Sequence, residues 1–167
     1  MKMPSSLYIY NLDTAALPDP GWTWPSNPTS TVIELPYYTS FNPFGLTTLG
    51  YAFTAVEGFS SFGSYNSNNS IDGPFVYCGF RPRFIMIKSS SGVTGNWVML
   101  DTTRDTYNAA GLRLNANTAD AEIDERPVLD ILSNGFKIRV TPGNDNYNAT
   151  GAASYIYAAF AECPFQY

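Results

Sequence analysis

From residue 51 onward, apolar and polar positions alternate with a period of two, the spacing of strands that bury one face. Residues 53–57, 75–80, 83–88, 96–100, 128–132, 136–140 and 154–162 read as seven strands on this pattern. The alternation is sharpest where Phe136, Ile138 and Val140 take one face while Lys137 and Arg139 take the other. The segment 154–162 differs: Tyr155, Tyr157, Ala159 and Ala161 oppose Ile156, Ala158 and Phe160, so both faces are apolar and the strand is expected to be central. Asn134-Gly135, between two apolar runs, is a hairpin signal because both residue types tolerate positive φ, and it pairs 128–132 with 136–140. Turn chemistry also separates the other runs at 66–69, at Asp72-Gly73-Pro74, at 89–92 and at 142–145. Only residues 118–125 have a composition that could supply a helical turn. The predicted fold is all-β, a single antiparallel β-sandwich over residues 51–167.

Residues 1–50 follow a different rule. Seven of the twelve prolines lie there, and their fixed φ and missing amide donors exclude a continuous helix or a central strand. The segment reads as an extended Pro-rich N-terminal arm. Its aromatic content is too high for a freely solvated linker. Tyr8, Tyr10, Trp22, Trp24, Tyr37, Tyr38 and Phe41 are therefore candidate partner-binding residues that dock on a neighbouring subunit, the alternative being that they pack back on the chain's own domain. A proline-rich arm loses less entropy on ordering than a Gly/Ser one, which suits it to threading along a partner.

Composition narrows the function classes. Charged residues are only 14% of the chain, against roughly 25% in ordinary soluble domains, so the surface relies on Ser, Thr, Asn and Tyr. A net charge of -5 with nine scattered basic residues argues against binding nucleic acid through phosphates. Histidine is absent, which removes the commonest general base, nucleophile partner and transition-metal ligand. No GxSxG elbow and no GxxxxGK[ST] loop occurs. The expectation is a non-enzymatic protein without a cofactor. No apolar run approaches the roughly 20 residues that span a bilayer, and residues 1–10 lack a signal-peptide core, so the chain is expected to be soluble and made in the cytoplasm. Cys78 and Cys163 have no CxxC spacing; two buried thiols packing as small apolar groups is the simpler reading, and a disulfide the other.

Two acidic groups invite a chemical reading. Asp120, Glu122, Asp124 and Glu125 cluster as calcium ligands do, but the loop glycine and closing glutamate of a calcium-binding hand are missing, so a solvated acidic loop is expected and no metal is assigned. Asp101, Arg104 and Asp105 follow the strand after Trp97, and two carboxylates beside an arginine could in principle be an acid/base pair; an ion pair or a cap is the expectation. Asn144, Asp145, Asn146 and Asn148 form a second candidate for calcium, which turn formation through Asx side chains explains equally well.

A series of segments, taken in order, adds a further indication. Glu57-Gly58-Phe59-Ser60-Ser61-Phe62-Gly63-Ser64-Tyr65, Asp72-Gly73-Pro74-Phe75-Val76-Tyr77, Gly79-Phe80-Arg81-Pro82, Met86-Ile87-Lys88 and Gly95-Asn96-Trp97 are followed by Leu132-Ser133-Asn134-Gly135-Phe136-Lys137, Asn148-Ala149-Thr150-Gly151 and Tyr155-Ile156-Tyr157-Ala158-Ala159-Phe160-Ala161-Glu162. Together, over about residues 52–167, they resemble the C-terminal β-sandwich module of tailed-phage tail-fibre and virion structural proteins. The resemblance implies a virion component, assembled in the host cytoplasm, that binds other virion proteins such as a major capsid protein or tail subunit, or a host-surface ligand, without catalysis. It also implies a homo-oligomer, trimer or dimer. This chain carries one copy of the module behind the arm. The expected function is a surface decoration (cement) or attachment protein anchored by that arm. The alternative is a short tail-fibre or receptor-binding head that meets host glycan or protein through the loops 65–70 and 143–148.

Overall fold

The computed structural model describes residues 29, 31, 32, 44, 45, 47, 49 and 50 and the continuous stretch 51–164. The seven candidate partner-binding aromatics of the arm lie outside the described residues. The chain divides into two compact units, one of residues 1–11 and 18–53 and the other of residues 12–17 and 54–167. The second carries the sheet.

Eight strands form it: β1 (Ser60–Asn66), β2 (Phe75–Tyr77), β3 (Pro82–Ser91), β4 (Val98–Asp101), β5 (Ala110–Asn115), β6 (Ile123–Leu132), β7 (Gly135–Ile138) and β8 (Ser154–Ala161). All pairings are antiparallel, in the order β1-β8-β3-β4-β5-β6-β7-β2. This is the expected all-β class. The sheet is folded over at β5, which pairs β4 through Leu114 and Asn115 and β6 through Ala110, Leu112 and Arg113. The inward side chains of β1, β8, β3 and β4, among them Tyr65, Tyr155, Ala159, Ile85, Ile87, Val98 and Leu100, join Leu129, Ile131, Phe136, Ile138 and Val76 from the other half in one core. Phe136 sits between the halves: its ring meets Tyr65 edge-on at 6.3 Å and Tyr157 at 5.5 Å. Burying such a ring completely, as Phe136 is buried, contributes on the order of 2–3 kcal/mol.

The central position of β8 holds, since β1 and β3 flank it on either side. Its second apolar face is used as well. Phe160 is surrounded there by Phe59, Phe62 and Phe84, with ring centroids 6.1, 5.8 and 6.1 Å away.

Six of the seven expected strands are found within a few residues of their predicted limits. The first is not: over 53–57 there is only an isolated bridge from Val56 to Ser60, because Phe59 and Ser60 both donate to the Val56 carbonyl and turn the chain. The strand begins after that turn, in the Ser/Gly-rich run of β1. Residues 118–125, which alone could have supplied a helical turn, do not form one, and β6 already starts at Ile123. β5, not foreseen, has inverted polarity: Ala110, Gly111, Arg113 and Asn115 are buried while Leu112 and Leu114 are half-buried.

The β6–β7 hairpin forms with the expected partners, Leu129 opposite Ile138 and Ile131 opposite Phe136. Its connection is Ser133-Asn134, one residue earlier than the Asn-Gly reading places it, and Gly135 is already paired with Leu132. What demands glycine at 135 is the neighbouring strand: a Cβ there would lie 2.0 Å from the Val76 carbonyl oxygen of β2. Gly135→Ala is therefore expected to cost about 2–4 kcal/mol in urea unfolding, with Asn134→Ala costing under about 1 kcal/mol. Equal costs would put the constraint in the turn instead.

Candidate functional site

The acidic residues singled out in the sequence are held by arginines. Asp101 ends β4, and its Oδ1 accepts the Thr103 and Arg104 amides at 2.9 Å each, an Asx cap. The Arg104 guanidinium returns to Asp101 Oδ2 at 2.6 Å and reaches Glu122 at 2.9 Å. The bonds from Arg104 hold the Asp101 carboxyl below the usual carboxylate range, against the opposing pull of burial. The pair is a loop lock. Asp105 is elsewhere: its side chain is buried, Oδ2 accepts the Gly111 and Leu112 amides at 2.7 and 2.6 Å, and Oδ1 faces Arg126 at 3.2 Å.

Asp105 stands where the sheet folds over. Between Ala110 and Leu112 the partner on β6 moves from Leu129 to Asp124, so the ladder is interrupted and two amides of β5 turn to the carboxylate. Gly111 is needed at this point because a Cβ would lie 2.6 Å from the Arg126 backbone nitrogen.

Of the acidic residues over 120–125, Asp120, Glu122 and Asp124 are exposed, as expected of a solvated acidic loop, and arginines hold three of the four. Glu122 pairs with Arg104, Asp124 with Arg126, and Glu125 with Arg113 at 2.7 Å, so the carboxylates diverge. Among the described residues no group of three or more metal-ligating side chains converges. Glu125 also accepts from the Asn144 amide group at 2.9 Å, in a buried polar cluster where Arg113 donates to Asn115 at 2.7 Å. The Tyr147 hydroxyl is buried in this region without a hydrogen-bond partner, and burial pushes its pKa far up.

The two loops of the receptor-binding alternative hold each other from inside. Asn144 Oδ1 accepts the Asn146 amide at 3.0 Å, the Asx turn expected of that composition. Tyr65 and Tyr155 stack at 5.0 Å; Tyr65 donates to the Tyr147 carbonyl at 3.0 Å, and the Tyr155 hydroxyl lies 3.0 Å from the Ala149 amide and 3.2 Å from the Asp145 carbonyl. Asn148, fully buried, accepts the Asn68 amide at 3.1 Å and donates to the Ser70 carbonyl at 2.9 Å. Tyr65, Tyr147 and Asn148 are thus turned inward, while Asn66, Asn68, Asn69 and Asp145 of the same loops stay exposed.

Large apolar side chains are instead exposed at Ile71, Phe75, Tyr77 and Tyr107. Tyr107 is 85% exposed and adjoins Asn108, whose side-chain amide pairs with both the amide and carbonyl of Ile131 on β6. Nearby an open groove of about 410 Å³ is lined by Ile71, Asp72, Ala109, Pro127, Asp130 and Arg139. Both cysteines are free: Cys78 is half-buried, with its thiol pushed up to about 11, but Cys163 is exposed, which corrects the expectation of two buried thiols.

Lys88 on β3, within one of the family-like segments, has nothing in its sequence context to mark it as buried. It is 1% exposed, its ammonium donates to the Ser89 carbonyl and hydroxyl at 3.1 and 3.3 Å, and burial lowers its pKa to about 8. A side chain that alternates with Ile85 and Ile87 reads as solvent-facing from sequence alone.

Two predictions follow from these groups. Asp105→Ala leaves two amides without an acceptor and should cost about 2–4 kcal/mol in urea unfolding; a loss under about 0.5 kcal/mol would mean that the corner does not depend on it. The unfolded Lys88 amine, near its ordinary value, keeps a proton that the folded one loses above about pH 8. Stability of the parent relative to Lys88→Met should therefore rise from pH 8 to 10, by on the order of 2 kcal/mol. The raised tyrosine pKa values act in the opposite direction above pH 10, where stability is lost in both proteins and cancels in the difference.

No curated protein sequence and no solved structure matches the chain. A family model described as a domain of unknown function, DUF7483, matches residues 4–164. With nearly its whole length covered, the chain belongs to the DUF7483 family.

Proposed function

We propose that this chain is a non-enzymatic structural protein of a tailed-phage virion, a surface decoration (cement) or attachment protein held to a capsid or tail subunit by its N-terminal arm. The observation that carries the reading is where the phage-like segments fall. They supply β1, β2, the hairpin and β8, and their glycines sit where backbones nearly touch: a Cβ at Gly73 would lie 2.5 Å from the Ile138 carbonyl oxygen, and one at Gly95 2.7 Å from that of Asp145. The resemblance thus rests on residues that build the sandwich, as befits a scaffold reused in many attachments.

A second observation supports the absence of catalysis in this proposal. Asp101, Asp105, Glu122, Asp124 and Glu125, the acidic side chains most suited to chemistry, are each engaged by an arginine. A domain whose charges lock its own loops offers a partner its apolar and amide groups, and the arm's aromatics are the largest apolar group that the sequence provides.

The receptor-binding alternative keeps one specific observation in its favour. The groove beside Ile71, Asp130 and Arg139 joins an apolar wall to a fixed carboxylate–guanidinium pair 3.2 Å apart, a combination that suits a neutral saccharide. Such a site would add to the exposed asparagines of the two loops as a point of host contact.

Trp22→Ala with Trp24→Ala tests the primary reading in the full-length chain. Binding to particles that lack the protein should weaken at least about tenfold, while the thermal midpoint shifts by less than a few degrees. Unchanged binding would refute an arm-anchored attachment. A large loss of stability in the isolated chain would show that the arm packs on its own subunit.

A further inference from the structure

β2 ends the sheet, and among the described residues its only strand partner is β7. The direction of its main-chain groups can be read from that pairing. Ile138 donates to the Pro74 carbonyl at 3.0 Å and Cys78 to the Asn134 carbonyl at 2.9 Å. Phe75 opposite Lys137 and Tyr77 opposite Gly135 are therefore the pairs that lie between ladder bonds, and the N–H and C=O of both Phe75 and Tyr77 point to the open edge. Their side chains stand on the outer face, 46% and 66% exposed, while Val76 between them is buried in the core.

This edge is rigid. Its two ends are fixed by the bonds at Pro74 and Cys78, the Gly79 amide also reaches the Asn134 carbonyl at 3.2 Å, and Gly135 lets β7 lie close behind it. An edge strand with unpaired ladder groups and exposed aromatics is a template for another strand.

From this geometry we infer that β2 is a dimerisation edge, whose occupant is β2 of a second copy of the chain. The strand is its own complement. A two-fold axis beside Val76 places Phe75 of one copy opposite Tyr77 of the other in hydrogen-bonded pairs, and every outward N–H and C=O of these two residues then has a partner. The same operation sets Phe75 against Tyr77 across the strands on the outer face, a favourable aromatic pair. Because the contact is isologous it closes after two copies and does not grow into a fibre. An unrelated strand would satisfy the main chain equally, but only the two-fold copy pairs both aromatics with aromatics.

The test uses the full-length chain, with sedimentation over a concentration series and amide hydrogen exchange resolved at Phe75, Val76 and Tyr77. Mass should double as concentration rises, the Phe75 and Tyr77 amides should slow with it, and the Val76 amide, paired to β7, should be slow throughout. Tyr77→Pro removes an amide that faces only the open edge, so the β7 ladder survives, and the dimer should weaken about tenfold or more. Should proline itself lower the unfolding midpoint, Phe75→Lys with Tyr77→Lys gives the same reading by placing like charges across the edge. A chain that stays monomeric, a dimer that persists in either variant, or a dimer in which the Phe75 and Tyr77 amides still exchange fast would overturn the inference.

Discussion

Where β5 leaves β4 and takes up β6, the ladder slips, and the amides of Gly111 and Leu112 lose their place in it. Buried amides without acceptors are costly, so a sheet can fold over there only if something else accepts them. The Asp105 carboxylate does so, with Arg126 balancing its charge. The two halves of the sheet can then face each other, and the core around Phe136 has two walls. The contacts of Phe136 with Tyr65 and Tyr157 across the halves assume that corner, and Glu125 pairs with Arg113 beside it.

The polar content of the interior follows from the same economy. With few charged residues on the chain, arginines and carboxylates are spent at corners and loop bases, where they organise main chain, and the surface is left to amides, hydroxyls and single aromatics. Lys88 and Tyr147 are the costly members, a cation and a phenol both taken out of water. Their pKa values move in opposite directions for one reason: burial disfavours whichever form is charged.

The parts of the fold legible in the sequence are those where side-chain pattern and backbone geometry agree. β8 announces itself by apolar residues on both faces, and the hairpin by alternation on either side of its turn. β5 is hidden because its inward positions hold Gly111, Arg113 and Asn115, which pack through hydrogen bonds that no periodicity records. β1 is hidden because Ser and Gly serve there as spacers; a Cβ at Gly63 would lie 3.0 Å from the Tyr157 ring. For the surface, composition correctly singled out Asp101 with Arg104 as an ion pair and cap. It could not show that Tyr65, Tyr147 and Asn148 face inward, since a tyrosine or asparagine in a turn sequence reads the same on either side of the backbone.

That inward orientation has a consequence for how the molecule can change. The Tyr65, Tyr155 and Asn148 side chains grip their loops by main-chain atoms, among them the carbonyls of Tyr147, Asp145 and Ser70. Every amino acid presents the same carbonyl, so the grip does not depend on which side chain stands at the tip. Position 145 can therefore be rewritten without loosening the frame beneath, whereas Asn69 is held at a φ of 53° that few side chains adopt and the Ser70 hydroxyl accepts the Asp72 amide, so variation at the surface is cheap at one loop and costly at the other.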